Sequence, residues 1–133
     1  MNSEQKPTIL IVDDTPDNIT LLCSLLGDKY RNKVAINGIK ALKIAESESK
    51  PDLILLDIMM PDMDGIEALK RIREIEDQHS IALGSGSSIL MTTSLSDTGS
   101  ITQAYKNLCD AYITKPIDQA QLHEALRNLN LIL

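Results

Sequence analysis

Four short stretches carry side chains that can do chemistry together: Asp13-Asp14, Asp57, Thr92-Thr93 and Lys115-Pro116. Carboxylates gathered in one place repel one another and resist ionising together. A hard cation relieves that repulsion. Asp oxygens with no His or Cys beside them suit Mg2+ rather than zinc. Lys115 adds a fixed positive charge and a threonine adds a hydroxyl. Such a set can hold a phosphoryl group on a carboxylate: cation and ammonium neutralise its oxygens, and the hydroxyl donates a hydrogen bond. The carboxylate can itself be the nucleophile and form an aspartyl phosphate. Each stretch alone also has an ordinary explanation. Asp-Asp after a strand is commonly a turn or a helix cap, Asp57 a strand-end turn residue, Thr92-Thr93 strand composition and Lys-Pro a loop.

What joins them is their position on the elements. Thr8-Ile9-Leu10-Ile11-Val12 is a continuous, β-branched run, the pattern of a strand buried on both faces. Thr15-Pro16 offers an N-cap and a first-turn proline for a helix bearing Ile19, Leu22, Cys23, Leu25 and Leu26, which Gly27 can end. Lys33 to Ile36 reads as a second strand, and Asn37-Gly38 turns into a helix with Leu42, Ile44 and Ala45. Leu53 to Leu56 reads as a third strand ending at Asp57. Asp64 and Glu67 form a capping box for a helix with Ile66, Leu69, Ile72 and Ile75 on one side. The stretch from Gln78 to Ser88 is irregular, and its Gly84-Ser85-Gly86-Ser87-Ser88 run reads as flexible. Ile89 to Met91 is a fourth strand, a weaker helix spans about 98–107, and Ala111 to Ile113 is a fifth strand. Asp118 with Gln121 caps a last helix bearing Leu122, Ala125, Leu126 and Leu129.

Strand and helix alternate five times, which implies a parallel sheet covered by helices on both faces. Right-handed crossovers leave few topologies, and five strands favour the flavodoxin-like order 2-1-3-4-5. The expected fold is thus a doubly wound α/β sandwich over residues 8–133, after a polar tail at 1–7. In such sheets ligands meet the carboxyl ends of the strands. All four reactive stretches follow a predicted strand, in chain order, at that end.

The bulk composition narrows the function. A chain of 133 residues fits one domain with a real core. Its aromatics are Tyr30, Tyr105 and Tyr112, so Ile, Leu, Val, Met and Ala must fill that core. A net charge of -6 and no basic stripe argue against binding nucleic acid or anionic membrane. There is no apolar run of membrane-spanning length and no apolar leader core before Ile9, which points to the cytoplasm. Cys23 and Cys109 form no metal or redox motif and read as small half-buried residues rather than a disulfide.

Three segments carry a resemblance: Ile9-Leu-Ile-Val-Asp-Asp14, Leu53-Ile-Leu-Leu-Asp-Ile-Met-Met-Pro-Asp-Met-Asp-Gly65 and Asp110-Ala-Tyr-Ile-Thr-Lys-Pro-Ile117. The sequence resembles the response-regulator receiver family of two-component signalling from Thr8 to Leu129. The resemblance implies that Asp57 is the phosphoacceptor. It implies that Asp14 is a direct Mg2+ ligand, that Asp13 reaches the metal through water, and that the Met59 carbonyl is a further ligand. Lys115 matches the phosphate-binding lysine, with a cis bond to Pro116, and Tyr112 the aromatic switch residue. Thr93 fits the switch hydroxyl by its spacing to Lys115; Thr92 is the alternative, since neighbouring strand residues face opposite ways. A sensor histidine kinase or a histidine phosphotransfer protein is the implied donor. A downstream protein effector is the implied reader of the face built on the 98–107 helix, the fifth strand and the last helix. In that scheme the chain is a switch that catalyses its own phosphorylation and dephosphorylation.

Several positions depart from the family pattern. The Gln78–Ser88 connection is longer than usual, read as a tolerated surface insertion. In the family the position two after the phosphoacceptor lines the path of the attacking water, so the resemblance implies that Met59, long and apolar, slows self-dephosphorylation. Leu108 stands where a glycine is usual, leaving Asn107 for a left-handed position, and Ser94 replaces a small alanine. Two rivals follow. An Asp-nucleophile hydrolase would need a second acid where Met59 stands and a cap domain that 133 residues do not accommodate. A degenerate receiver would dock partners without being phosphorylated.

Overall fold

The computed structural model describes residues 6–47, 50–60, 63, 65–78, 86–93 and 108–131. The described elements are β1 (Thr8–Val12), α1 (Pro16–Leu26), β2 (Arg31–Ala35), α2 (Gly38–Glu46), β3 (Leu53–Asp57), α3 (Gly65–Gln78), β4 (Ser88–Thr93), β5 (Ala111–Thr114) and α4 (Gln119–Asn128). The five strands form one parallel sheet in the order β2-β1-β3-β4-β5, as expected. The expected helix at 98–107, Ser94, Asn107, Asp64 and the first part of the Gly-Ser run lie outside the described residues.

The apolar runs are continuous because both faces of the sheet are covered. Ile9, Ile11, Leu53, Leu55 and Leu90 pack with Leu22 and Leu26 of α1 and Leu122 and Leu126 of α4. The alternate residues Leu10, Val12, Ile54, Leu56, Ile89 and Met91 pack with Ala41 of α2 and Ala68, Leu69 and Ile72 of α3. Burying one such side chain contributes roughly 1.5–3 kcal/mol, so this aliphatic core suffices without Phe or Trp. Both cysteines are free and half-buried at its margins.

Some local expectations change. Thr15 does occupy the N-cap of α1, but its side chain makes no capping bond; its amide instead donates to Asp13 Oδ1 at 2.9 Å. Strand β2 begins at Arg31 and ends at Ala35, because backbone pairing with β1 extends it over polar residues. Pro7 is tied to that pairing, its carbonyl accepting from the Arg31 amide. Gly27 ends α1 with a φ of 69°. Asn37 and Asp118 cap α2 and α4 by accepting from Lys40 and Gln121 amides. Leu108 does not take a left-handed backbone; Asn130 alone does so among described non-glycine residues. Leu108 and Cys109 pack instead against the α2/α3 core. Part of the Gly-Ser run is firmly held: Ser87 is buried, its hydroxyl donates to the Pro51 carbonyl, and Ser88 opens β4.

Candidate metal and phosphoacceptor site

The site is made by strand ends in register. Strand β1 pairs with β3 so that Val12 lies opposite Leu56, which brings Asp13 level with Asp57. Asp13, Asp14 and Asp57 each present a carboxylate oxygen, and these oxygens lie within 4.8 Å of one another. Asp13 is 1% exposed and Asp57 3%, whereas Asp14 faces solvent. Lys115, which follows β5, donates from Nζ to Asp57 Oδ1 at 3.0 Å and stands 3.5 Å from Asp13 Oδ2. The Lys115 amide donates to the Thr93 carbonyl, which fixes where its side chain starts. The Lys115–Pro116 peptide bond is cis.

The electrostatics are strained in one direction. Burial pushes the Asp57 carboxyl above the ordinary carboxylate range, and the charge of Asp13 adds to the rise. The hydrogen bond and charge of Lys115, and a bond from the Met59 amide, pull the other way without cancelling it. One ammonium thus serves two buried acids. Asp13 Oδ1 is held by the Thr15 amide, but Asp13 Oδ2 is buried with no hydrogen-bond donor among the described residues. A buried charged oxygen without a donor is costly. An all-oxygen cluster in which a buried carboxylate oxygen has an ammonium at 3.5 Å but no hydrogen bond among the described residues fits a hard divalent cation.

The other predicted residues fall nearby with unequal roles. Thr92 and Thr93 are both buried at the end of β4, and Thr92 is the register partner of Asp57. Met59 follows Asp57 by two residues and is 63% exposed. Tyr112 lies on the edge strand β5, 48% exposed. Gly65 was not singled out from the sequence, yet it holds the site together. Its amide donates to the Ile58 carbonyl at 2.7 Å, and a Cβ there would run into the Asp57 carbonyl oxygen. The signal available was Asp64-Gly65 between a strand and a helix, a pair that marks a tight turn.

A family model for the response regulator receiver domain matches residues 9–127. The chain belongs to that family. It is 33% identical over 122 residues to the chemotaxis protein CheY of Halobacterium salinarum, covering 91% of this chain and 94% of that relative. Identity is also 33% over 122 residues to the response regulator PleD of Caulobacter vibrioides, where the match covers 91% of this chain but 25% of PleD. The chain thus spans nearly all of one relative and a quarter of the other. Among solved structures, the receiver domain of sensor histidine kinase PA1611 from Pseudomonas aeruginosa PAO1 superposes with a TM-score of 0.77 at 28% identity. That match covers 93% of this chain and 97% of the other, and the other has a magnesium ion coordinated in its active site cleft. This receiver domain is therefore a phosphoacceptor module of two-component signalling, and receivers act as switches between histidine kinases and effectors. Among the described residues, no helix is long and apolar enough to cross a membrane.

Proposed function

We propose that Asp57 accepts a phosphoryl group from the phosphohistidine of a sensor histidine kinase or a histidine phosphotransfer protein. The observation that carries this reading is the Lys115 ammonium on Asp57 Oδ1 beside two further carboxylates. A carboxylate oxygen of Asp57 attacks phosphorus, the P–N bond to imidazole breaks, and the new O–P bond makes an acyl phosphate. Lys115 stays beside the new acyl phosphate and neutralises phosphoryl oxygens, and Thr93 donates a hydroxyl hydrogen bond to them. Asp13, Asp14, Asp57 and the Met59 carbonyl would hold Mg2+, which when bound supplies positive charge against the phosphoryl oxygens. Water then attacks phosphorus, releases phosphate and restores the Asp57 carboxylate, so the chain catalyses its own charging and resetting.

The switch works by redistribution between two states. Thr93 is drawn toward the phosphoryl group, and Tyr112, exposed in this structure, moves into the space behind it. The face around β5 and α4 then presents a different surface to a protein effector. The acidic balance, -6 overall, supports a protein reader rather than nucleic acid. We place the domain at residues 8–133 and the protein in the cytoplasm. Reductive trapping of the labelled protein with borohydride, followed by peptide mapping, tests the acceptor. Modification at Asp57 is expected; modification at Asp13 or Asp14 instead would overturn the assignment.

A further inference from the structure

The amino-terminal end of the sheet, opposite the acid cluster, holds a second ionic group. Arg73 on α3 donates from Nε to the Leu108 carbonyl at 2.8 Å. Its Nη1 donates to Glu76 Oε1 at 2.8 Å and to the Ser87 carbonyl at 2.9 Å. Its Nη2 donates to Asp110 Oδ2 at 3.2 Å. The same Asp110 oxygen accepts from the Ile89 amide at 2.7 Å, while the Asp110 amide donates to the Ile89 carbonyl at 2.9 Å. Asp110 is thus clamped to β4 through both side chain and backbone, one residue before β5 begins.

That placement matters because side-chain packing holds β5 lightly, beside its backbone ladder to β4. It is a four-residue edge strand, and Ile113 is its one buried residue. Strand register is normally set by the alternation of buried side chains, and a slip of one residue sends every side chain to the other face. With one fully buried side chain and a small, partly buried Ala111 beside it, packing specifies β5 weakly. Its far end runs directly into Lys115, whose ammonium must reach Asp57. An error in register at Asp110 is therefore carried along the strand to the ammonium.

We propose that Asp110 and Arg73 are positioning residues for the phosphoacceptor site: by locking Asp110 onto Ile89 they set the register of β5 on β4, and with it the reach of Lys115 and the outward setting of Tyr112. The proposal rests on the roles given above to Asp57 and Lys115. The ion pair is open to water on its acid side, so its charge attraction contributes little. The hydrogen bond to the Ile89 amide does the holding, and Arg73 orients the carboxylate for it.

The test compares Asp110→Ala, Asp110→Asn and Arg73→Ala in the full chain. Two readouts are used: the initial rate of labelling against acetyl phosphate concentration with Mg2+, and amide exchange at Lys115. Asp110→Ala is expected to lower the saturating rate about tenfold or more, as displaced catalytic groups do, with the half-saturating acetyl phosphate concentration unchanged. Exchange at Lys115 should quicken while exchange in β1 stays as it was. Asp110→Asn keeps an oxygen for the Ile89 amide and should restore both readouts. Wild-type labelling and unchanged Lys115 exchange in folded Asp110→Ala would overturn the proposal, as would quickened exchange in β1 to the same degree. If Arg73→Ala does not fold, the two Asp110 variants carry the test. If the wild-type chain takes no label, the phosphoacceptor reading fails, and Lys115 exchange still decides whether Asp110 sets β5.

Discussion

The two ends of the sheet handle buried charge in opposite ways. At the amino-terminal end, Arg73 meets Glu76, Ser87, Leu108 and Asp110, and the second Glu76 oxygen accepts from the Ser87 amide at 2.8 Å. At the carboxyl-terminal end, the Lys115 ammonium serves Asp13 and Asp57 beside a third carboxylate, Asp14, and Asp13 Oδ2 has no hydrogen-bond donor among the described residues. The satisfied network returns its desolvation cost as structure. The unsatisfied one keeps a standing demand for positive charge, which a binding or reacting group can meet. The contrast separates a structural ionic cluster from a working one without reference to sequence relatives.

The largest effect should come from removing Lys115, the cation that Asp13 and Asp57 share at the working end. Lys115→Ala is expected to slow labelling by acetyl phosphate about 10²–10³-fold, the usual loss when one charge-stabilising donor is removed. A loss below about tenfold would mean that Lys115 serves the fold more than the chemistry. At the satisfied end the effect should be on stability. Glu76→Ala takes one carboxylate from the largely buried Arg73, which keeps Asp110 and two carbonyls, and leaves the Ser87 amide without its acceptor; it is expected to cost about 2 kcal/mol in urea unfolding. A cost under about 1 kcal/mol would place that pair with ordinary surface bridges.

The opposite sign is expected at Asp57. Its pKa in the fold lies above the unfolded value, first because of burial. Any stability from this group is therefore full below the unfolded pKa and lost as pH rises through the folded one. In EDTA, Asp57→Asn should be more stable than wild type at neutral pH, and the gap should close as pH falls through the carboxylate range. A less stable Asn variant at neutral pH would show that the Lys115 bond outweighs burial. The smallest effect belongs to the exposed Met59. Met59→Asn is expected to shorten the phosphoryl lifetime about fivefold, near 1 kcal/mol of barrier; a longer lifetime would remove Met59 from the path of water.

Much of the fold could be read from the chain because burial on both faces leaves an unbroken apolar signature, as in β1, β3 and β4. Strand β2 is less legible: it runs over Arg31–Ala35 rather than Lys33–Ile36, since Arg31 and Asn32 owe their strand conformation to pairing with β1 rather than to apolar side chains. The acids of the candidate site were visible as strand-end residues, and parallel register brings them level. Thr15 and Pro16 start α1 where the sequence puts them; the Asp13 carboxylate on the Thr15 amide is a contact that the cap pattern does not announce. The Arg73 network was invisible because its partners lie up to 37 residues away. Glu76 did leave a trace: it stands four residues after Ile72 and seven after Leu69, on the buried stripe of α3. Ser87, within a run that resembles a linker, is anchored by contacts with Glu76, Arg73 and Pro51 that no local pattern announces.

The most direct measurement is the intact mass of the full chain after incubation with acetyl phosphate and Mg2+, beside Asp57→Asn and an EDTA control. The absence of Trp removes the usual fluorescence signal, so mass is the cleaner probe. One added phosphoryl group, lost in Asp57→Asn and lost in EDTA, is the result predicted for a metal-dependent phosphoacceptor built on Asp13, Asp14, Asp57 and Lys115. An unmodified mass from folded protein, in a reaction where a control receiver is labelled, would contradict it and leave a domain that docks partners without being phosphorylated.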